Sequence, residues 1–203
     1  MRRDHLQLVE FSPADVSLLE CVGKLRVAAW ATELPSPPAQ QSWLDDYDLV
    51  ARHWAFLCDG LPVASGRMTV HSTLSEVPAS EDFVGLFANQ LPTPIASLNR
   101  VVVEPRYRGL GLGPTLVEVR LRAAEEMGCG SAVASTVSGE RWVAQLTSRG
   151  FRLAGSTGVP NVSCLLSQMP PAVALVCLLP REQQDAEPGA AADPPRTLLS
   201  GTS

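Results

Sequence analysis

A glycine-rich turn between an apolar strand and a helix carries the clearest chemical signal in the sequence. Residues 101–113 read VVVEPRYRGLGLG. Alternating glycines let the backbone curl without Cβ clashes, and the N–H groups of the helix that follows then point at one spot. The helix dipole and the two arginines of the run, Arg106 and Arg108, add positive charge there. The segment therefore predicts a phosphate-binding site.

Two common phosphate loops do not fit this turn. A Walker loop needs a lysine in its GxxxxGK core, and the only lysine of the chain is Lys24. The dinucleotide fingerprint GxGxxG lacks its third glycine whether it begins at Gly109 or at Gly111. The pattern that remains is RxxGxG, formed by Arg108, Gly111 and Gly113.

The same run resembles the acyl-CoA signature of the GNAT superfamily of N-acetyltransferases, in which V-x-P-x-Y-R-G-x-G-x-G joins a strand to a helix. The order of predicted elements over residues 6–179 is similar to that family too. The resemblance implies that the turn holds the diphosphate of coenzyme A, and that the strand edge before it pairs with the pantetheine arm and the thioester. It implies acetyl-CoA as co-substrate, no metal, and these contact residues: Val101, Val103, Arg106, Arg108, Gly109, Leu110, Gly111, Leu112 and Gly113.

The residue that would protonate the leaving sulfur is not at the family's usual place. Acyl transfer needs a neutral amine and, unless the thiolate leaves as such, a proton for the departing sulfur. The resemblance implies a tyrosine four residues before the Gly-Phe pair that starts at Gly150, and that position is Leu146. Tyr107 belongs to the signature turn. The resemblance implies that the helix carrying Tyr47 lines the acceptor cleft, which makes Tyr47 the candidate acid, with water or direct thiolate departure as alternatives.

The base that would deprotonate the acceptor has two candidates. The resemblance implies a glutamate on the signature strand, but counting back from the motif's arginine leads to Ser97. Glu104 at the strand end is one candidate, with surface charge pairing to Arg106 as the alternative. His71 is the other, because the pKa of histidine lies near neutrality; a purely structural role is its alternative.

Three polar residues on neighbouring strands are candidate substrate contacts. An arginine within a buried sheet needs a partner, because an unpaired buried charge is costly. Arg67 and Arg100, with Asn99, either meet a carboxylate of the acceptor or pair with acids such as Asp82. Strand alternation predicts that positions 97, 99 and 101 face one way and 98, 100 and 102 the other. The segments around 67–71 and 97–103 also resemble acyltransferases of the superfamily that make acyl amino acids or acyl-homoserine lactones.

The elements that position these residues follow from hydrophobic periodicity and turn residues. Strands are predicted at 6–11, 53–58, 61–71, 95–103, 131–137, 151–153 and 172–179. Helices are predicted from a cap at Ser12 toward Trp30, from Ser42 to about Arg52, at 114–127 and at 139–148, with a short helix around 83–89. The mixed order indicates an α/β (α+β) domain with a mixed central sheet flanked by helices.

Composition supports this organisation. With 203 residues, 45% of them hydrophobic, the chain suits one domain, 1–180, followed by a disordered tail at 181–203 that is rich in Ala, Pro, Gly and Glu. The net charge of −5 argues against a nucleic-acid partner. No apolar run reaches the length of a membrane span. Five scattered cysteines without a CxxC pair indicate reduced thiols and a cytoplasmic protein.

The resemblance as a whole implies an N-acetyltransferase, and the cysteine pattern predicts that it is cytoplasmic. Its acetyl group would pass from acetyl-CoA directly to a primary amine of a small molecule or peptide, without a covalent enzyme intermediate. Two alternatives stay open: a donor with a longer acyl chain, and an acyl-CoA-binding regulatory module without catalysis. Homodimers are common in the family, and the sequence leaves the oligomeric state open.

Overall fold

Seven strands and three α-helices form in the part of the chain that the computed structural model describes, residues 5–36, 38–83, 85–87, 90–137, 139–156 and 169–180. The strands are β1 Leu6–Phe11, β2 Arg52–Cys58, β3 Leu61–His71, β4 Ile95–Val103, β5 Ser131–Thr136, β6 Arg152–Gly155 and β7 Val173–Leu178. The helices are α1 Val16–Trp30, α2 Leu112–Glu126 and α3 Glu140–Thr147. The predicted tail at 181–203 lies outside the described residues.

All strands belong to one mixed sheet, in the order β1-β2-β3-β4-β5-β7-β6. Every neighbouring pair is antiparallel except β4 and β5, which run parallel. The parallel ladder is short, because it joins only residues 95–97 of β4 to residues 131–133 of β5. Beyond Ser97 and Val133 the two strands separate, while β5 stays paired with β7 to its end. The sheet therefore opens in its middle, beside the second half of β4.

A β-bulge interrupts β4 at the same level. Asn99 pairs with Arg67 and Val102 with Ser65, so two residues of β4 lie opposite one residue of β3. Arg100 takes a positive φ of 56° there. The predicted alternation is therefore wrong beyond Asn99, because the extra residue of a bulge changes which way the following side chains point.

The two faces of the sheet carry different helices. Leu98 packs in the large core cluster that contains Leu112 and Leu116 of α2. Val102 packs instead with Leu25 and Ala29 of α1. The bulge thus sends two residues four positions apart to opposite faces, and the opening between β4 and β5 connects those faces.

The β2–β3 hairpin forms where the sequence predicts it. Its turn is Asp59-Gly60, and both residues have positive φ, 51° and 79°. Two-residue hairpin turns of this kind need left-handed backbone, which explains the Asp-Gly pair. The predicted bounds of β1, β3 and β4 are confirmed to the residue.

Three predicted helix features are wrong. The α1 cap is Asp15, whose carboxylate accepts from the amide of Leu18 at 3.1 Å, so Ser12 lies outside the helix. The predicted helix from Ser42 reduces to a 3-10 turn at Asp46–Leu49, in which the carboxylate of Asp48 accepts from the amide of Asp45 at 2.9 Å and also pairs with Arg26 and Arg67. The described residues of 83–89 form no α-helix, and 3-10 turns occur earlier, at Leu74–Glu76 and Ser80–Phe83.

Four of the five cysteines lie in the described residues and are free thiols: Cys21, Cys58, Cys129 and Cys177. Cys164 lies outside that part of the chain. None of the described helices is both long enough and apolar enough to cross a membrane.

Candidate functional site

A cavity of about 1260 Å³ occupies the opening in the sheet. On one side it is walled by the second half of β4, the glycine-rich turn, the start of α2 and the start of α3. On the other side its walls are the end of α1 and the segments around residues 42–47 and 78–83. Residues from both faces of the sheet therefore meet in one space.

The glycine-rich turn has the backbone geometry that the sequence predicts. Gly109 and Gly111 have φ of 80° and 79°, and Gly111 is the N-cap of α2 without any side-chain cap bond. Helix α2 begins at Leu112, two residues before the predicted start, so Pro114 lies in the first turn, where its missing N–H costs little. The first amides of a 15-residue helix thus open onto the cavity, an arrangement that favours anions.

Most of the predicted coenzyme contacts line this cavity. Those that do are Val101, Val103, Arg108, Gly109, Gly111, Leu112 and Gly113. Leu110 packs against the large core cluster instead. Arg106 pairs with Glu104, and its side chain is 79% exposed.

Arg108 ties the turn to α1. Its Nη2 donates to the carbonyl of Ala29 at 3.0 Å and its Nε to the carbonyl of Val103 at 3.2 Å. The guanidinium also pairs with Glu33. A phosphate contact from Arg108 would therefore compete with this carboxylate.

Trp142 of α3 forms part of the cavity wall, although no motif in the sequence marks it. A Cβ atom at Gly113 would lie 3.1 Å from the Trp142 ring, so glycine allows the indole of α3 to lie directly on α2. Both residues line the cavity. Trp30 and Trp43 line the cavity as well.

A buried network of charges fills the other side of the cavity. Arg67 donates to the side chain of Asn99 at 2.7 Å and pairs with both Asp45 and Asp48. Arg100 pairs with Asp45 at 2.7 Å. The predicted need for carboxylate partners is met by Asp45 and Asp48 rather than by Asp82.

Two further contacts complete this network. The guanidinium of Arg100 lies 3.6 Å from the centre of the Trp43 ring, a cation–π distance. Arg26 of α1 is fully buried and bonds both carboxylate oxygens of Asp48 at 2.9 Å. Three arginines and two aspartates thus link α1, β3 and β4, and leave one net positive charge.

Asp45 makes the free energy of unfolding depend on pH in the acid range. Burial acts to raise the pKa of Asp45, but the bonds and charges of Arg67 and Arg100 outweigh it and lower the pKa to about 2. A lowered folded-state pKa stabilises the fold above the unfolded value, and that stability is lost as pH falls through the folded value. We expect about 2 kcal/mol of unfolding free energy to be lost between roughly pH 4 and pH 2.

Denaturant unfolding at a series of pH values checks this expectation. The stability difference between the unmodified chain and Asp45→Asn should narrow as pH falls through that window. Asp46→Asn, at an exposed neighbouring position, serves as the matched control. Parallel curves for Asp45→Asn and the unmodified chain would contradict the assignment.

The candidate catalytic residues occupy different places. Tyr47 lines the cavity, and its hydroxyl donates to the carbonyl of Glu76 at 3.2 Å. His71 does not line the cavity; its Nε2 lies 2.7 Å from the hydroxyl of Thr69, and burial lowers its pKa. Glu104 is also absent from the lining, and its pairing with Arg106 favours the charge-pairing interpretation.

Leu146 is buried, 3% exposed, and lines the cavity. The position that the resemblance gives to a tyrosine therefore presents an apolar surface. With Leu98, Val117, Ala134 and Ala172, which are also buried and line the cavity, it forms an apolar section of the cavity wall.

Arg120 of α2 holds the bulge in place. Its Nη1 donates to the carbonyls of Arg67 at 2.8 Å and Asn99 at 3.2 Å, and its Nε to the carbonyl of Leu116. Burial lowers the pKa of Arg120 to about 9. A Cβ at Gly66 would lie 3.0 Å from the guanidinium carbon, which explains the glycine opposite the bulge. Sequence reasoning missed Arg120, because nothing local marks a helix arginine as buried.

Comparisons with solved structures agree with this architecture. The chain is similar to a CoA-dependent acyl-homoserine lactone synthase, BjaI, solved with SAM and isopentyl-CoA, with a TM-score of 0.62, 19% identity, and coverage of 87% of this chain and 84% of that one. It is also similar to a chain of the NatC complex bound to Gag peptide and CoA, with a TM-score of 0.60, 12% identity, and coverage of 87% and 99%. A third similar structure is an acetyltransferase of the GNAT family from Streptococcus pneumoniae, with a TM-score of 0.59, 16% identity, and coverage of 86% and 99%.

Sequence comparison identifies the family directly. No curated protein matches the chain. The profile described as "Acetyltransferase (GNAT) family" matches residues 27–151, which contain the bulged strand, the glycine-rich turn and α2. The glycine turn at a helix N-terminus, the opened strand edge beside it and this match lead to one conclusion: the chain belongs to the GNAT acetyltransferase family.

Proposed function

We propose that this chain transfers an acetyl group from acetyl-CoA to a primary amine by direct attack on the thioester. The observation that carries the proposal is that a helix N-terminus and the second half of β4, whose edge toward β5 is unpaired, lie in one cavity. Peptide groups along an open strand edge can bond an extended amide chain as a neighbouring strand would. The helix N-terminus suits the diphosphate at the far end of the same molecule.

The donor would lie across the opening of the sheet. The amides from Gly109 to Gly113 would hold the diphosphate, with Arg108 beside it once released from Glu33. Pantetheine would follow β4 at Val101 and Val103, which both line the cavity. The thioester would then reach the space between β4 and β5, where the ladder ends.

Chemistry at that point needs no covalent intermediate. None of the described cysteines lines the cavity, which supports direct transfer. The neutral amine attacks the carbonyl carbon, the C–S bond breaks, and the thiolate leaves. Tyr47 is the proposed proton donor because it lines the cavity. The rings of Tyr47 and His71 pack edge to face, with 6.0 Å between their centroids. Water remains the alternative donor.

The acceptor would enter on the side of the charged network. Arg67, Asn99 and Arg100 line that side of the cavity, and the network to which the two arginines belong carries one net positive charge, which supports binding of an amine that also bears a carboxylate or peptide carbonyls. An acceptor of that kind fits a small-molecule amine or a peptide N-terminus.

The four free thiols support the proposal of a cytoplasmic protein.

A longer acyl donor is the second candidate function. The apolar section formed by Leu98, Val117, Ala134, Leu146 and Ala172 favours it, because each buried CH₂ group contributes about 0.8 kcal/mol. Kinetics with acyl-CoA donors from acetyl to octanoyl should distinguish the two candidate functions. A KM that falls with chain length would support transfer of a longer acyl group, and the highest turnover with acetyl-CoA would support acetyl transfer.

Release of free thiol tests the proposed function. The donors are incubated with a panel of primary amines containing amino acids, polyamines and short peptides, and free CoA is titrated over time. We expect release that depends on the amine and gives an acylated product by mass spectrometry. Donor binding without release for any amine would favour the non-catalytic module and contradict the proposal.

A further inference from the structure

A buried carboxylate outside the charged network lies in the acceptor side of the cavity. Asp82 sits on the 3-10 turn Ser80–Phe83, is 6% exposed, and lines the cavity together with Ser97 and Ser135. Sequence reasoning considered it only as a partner for an arginine. The structure leaves it without that partner, so its burial needs another explanation.

Asp82 lies beside the point where the sheet opens. Ser135 on β5 lines the same cavity, and hydrogen bonding from its hydroxyl acts to lower the pKa of the Asp82 carboxylate. Ser135 is two residues beyond Val133, the last residue of β5 that pairs with β4. Phe83, the next residue, packs with Ile95 and Val133, so the turn lies over the end of the parallel ladder. The carboxylate is therefore next to the gap where the thioester would be exposed to an acceptor.

Two other acids of the cavity lining are engaged by cations. Asp45 pairs with Arg67 and Arg100, and Glu33 pairs with Arg108. Throughout the described ranges no arginine or lysine pairs with Asp82. A carboxylate held by two arginines is a poor base, whereas one held by a single hydroxyl keeps a lone pair for a proton.

We propose that Asp82 is the general base of the acyl transfer and accepts a proton from the ammonium group of the acceptor. The inference rests on the proposed function, since it assigns a residue to the same site. Asp82 lines the cavity, whereas the two candidate bases from the sequence, Glu104 and His71, do not.

The proton balance of the step is simple. One oxygen of Asp82 takes a proton from the ammonium, directly or through one water, which leaves a neutral amine and a carboxylic acid. The amine nitrogen forms a bond to the carbonyl carbon as the C–S bond breaks, and the electron pair leaves on sulfur. Tyr47 protonates the thiolate and takes up the second amine proton in return, and Asp82 returns its proton to solvent. Amide, free CoA and one proton are the products.

The surroundings of Asp82 suit it to this role. Burial raises its pKa, the hydroxyl of Ser135 lowers it, and the negative charge of Glu81 raises it. A raised pKa brings a carboxylate closer to the working pH of a general base.

Two other elements pack against the turn, β7 and the turn at Leu74–Glu76. The titratable group in residues 173–178 of β7 is the thiol of Cys177, and burial raises its pKa. In the neighbouring turn at Leu74–Glu76, the carboxylate of Glu76 is occupied by the amides of Ser72 and Thr73.

Three variants and one control test the proposal, with acetyl-CoA and whichever amine of the panel is turned over. Asp82→Asn should lower kcat/KM about 100-fold or more while acetyl-CoA affinity stays unchanged, since general bases contribute typically 10²–10⁴-fold. Ser135→Ala should move the acidic limb of the kcat/KM profile to higher pH, because it removes a bond to the charged form. Glu81→Gln should move that limb to lower pH. Asp59→Asn, in the hairpin turn outside the cavity lining, is the matched control and should match the unmodified chain.

The opposite shifts separate a base from a structural residue. If Asp82 were merely structural, Asp82→Asn would lower the melting temperature, but Ser135→Ala and Glu81→Gln would not move the acidic limb in opposite directions. Full kcat/KM in Asp82→Asn would overturn the inference, and so would an acidic limb that neither Ser135→Ala nor Glu81→Gln moves. In either case turnover by the unmodified chain would still support the proposed function. Absence of thiol release from the unmodified chain would overturn the proposed function and this inference together.

Discussion

Gly111→Asp is expected to abolish binding of acetyl-CoA. Gly111 caps α2 with a φ of 79°, so any other residue there costs roughly 1–2 kcal/mol of backbone strain. Aspartate also places a negative charge at the amides that would hold the diphosphate, where like charges repel. Together the two effects remove the site, and titration calorimetry with acetyl-CoA should detect no heat.

Gly60→Asp is the control for strain alone. Gly60 has the same φ of 79° in the hairpin turn, and a Cβ there would meet nothing within 4 Å. It should lose comparable stability and bind acetyl-CoA with unchanged affinity. Gly111→Ala, which adds strain but no charge, should bind more weakly than the unmodified chain and more strongly than Gly111→Asp. Unchanged affinity in Gly111→Asp would count directly against the glycine turn as the donor site.

Asp48→Ala is expected to lower the free energy of unfolding by about 3–5 kcal/mol, since it leaves buried guanidinium groups without their counter-ion. The carboxylate of Asp48 bonds Arg26 at 2.9 Å, Arg67 at 3.0 Å and the amide of Asp45 at 2.9 Å. Its removal leaves Arg26 with the carbonyl of Trp43 at 3.1 Å and the like charge of Arg67 nearby. Denaturant unfolding measures the loss.

Two comparisons make that result specific. Asp46→Ala, two residues earlier and exposed, should change stability by no more than about 0.5 kcal/mol. The double variant Arg26→Leu with Asp48→Leu should be less destabilised than Asp48→Ala, because replacing both ions of a buried pair with apolar residues is often neutral. A loss below about 1 kcal/mol for Asp48→Ala would contradict the tight coupling of α1 to β3.

The elements that the sequence predicts well are those with local signals. The hairpin depends on one Asp-Gly pair, and the donor site on a run of glycines between a strand and a helix, so neither needs knowledge of distant residues. Their bounds agree with the structure to within about two residues. The same locality explains why most of the predicted coenzyme contacts lie in the cavity.

The elements that the sequence predicts poorly depend on contacts far along the chain. The helix expected from Ser42 is reduced to a single turn because Asp48 serves Arg26 and Arg67, residues from α1 and β3. The bulge at Arg100 is held by Arg120 from α2, which no local pattern reveals. Asp82 lies in a segment without periodicity, and only the tertiary fold brings it to Ser135.

The central claim is that the opened edge of β4 and the N-terminus of α2 form one site for a CoA thioester, and titration calorimetry with acetyl-CoA tests it most directly. We predict saturable, one-to-one binding to the unmodified chain, lost in Gly111→Asp and kept in Gly60→Asp. A thousand-fold excess of donor over its Kd should also stabilise the fold by about 4 kcal/mol. No heat from acetyl-CoA or any longer acyl-CoA, with the chain folded, would contradict the account.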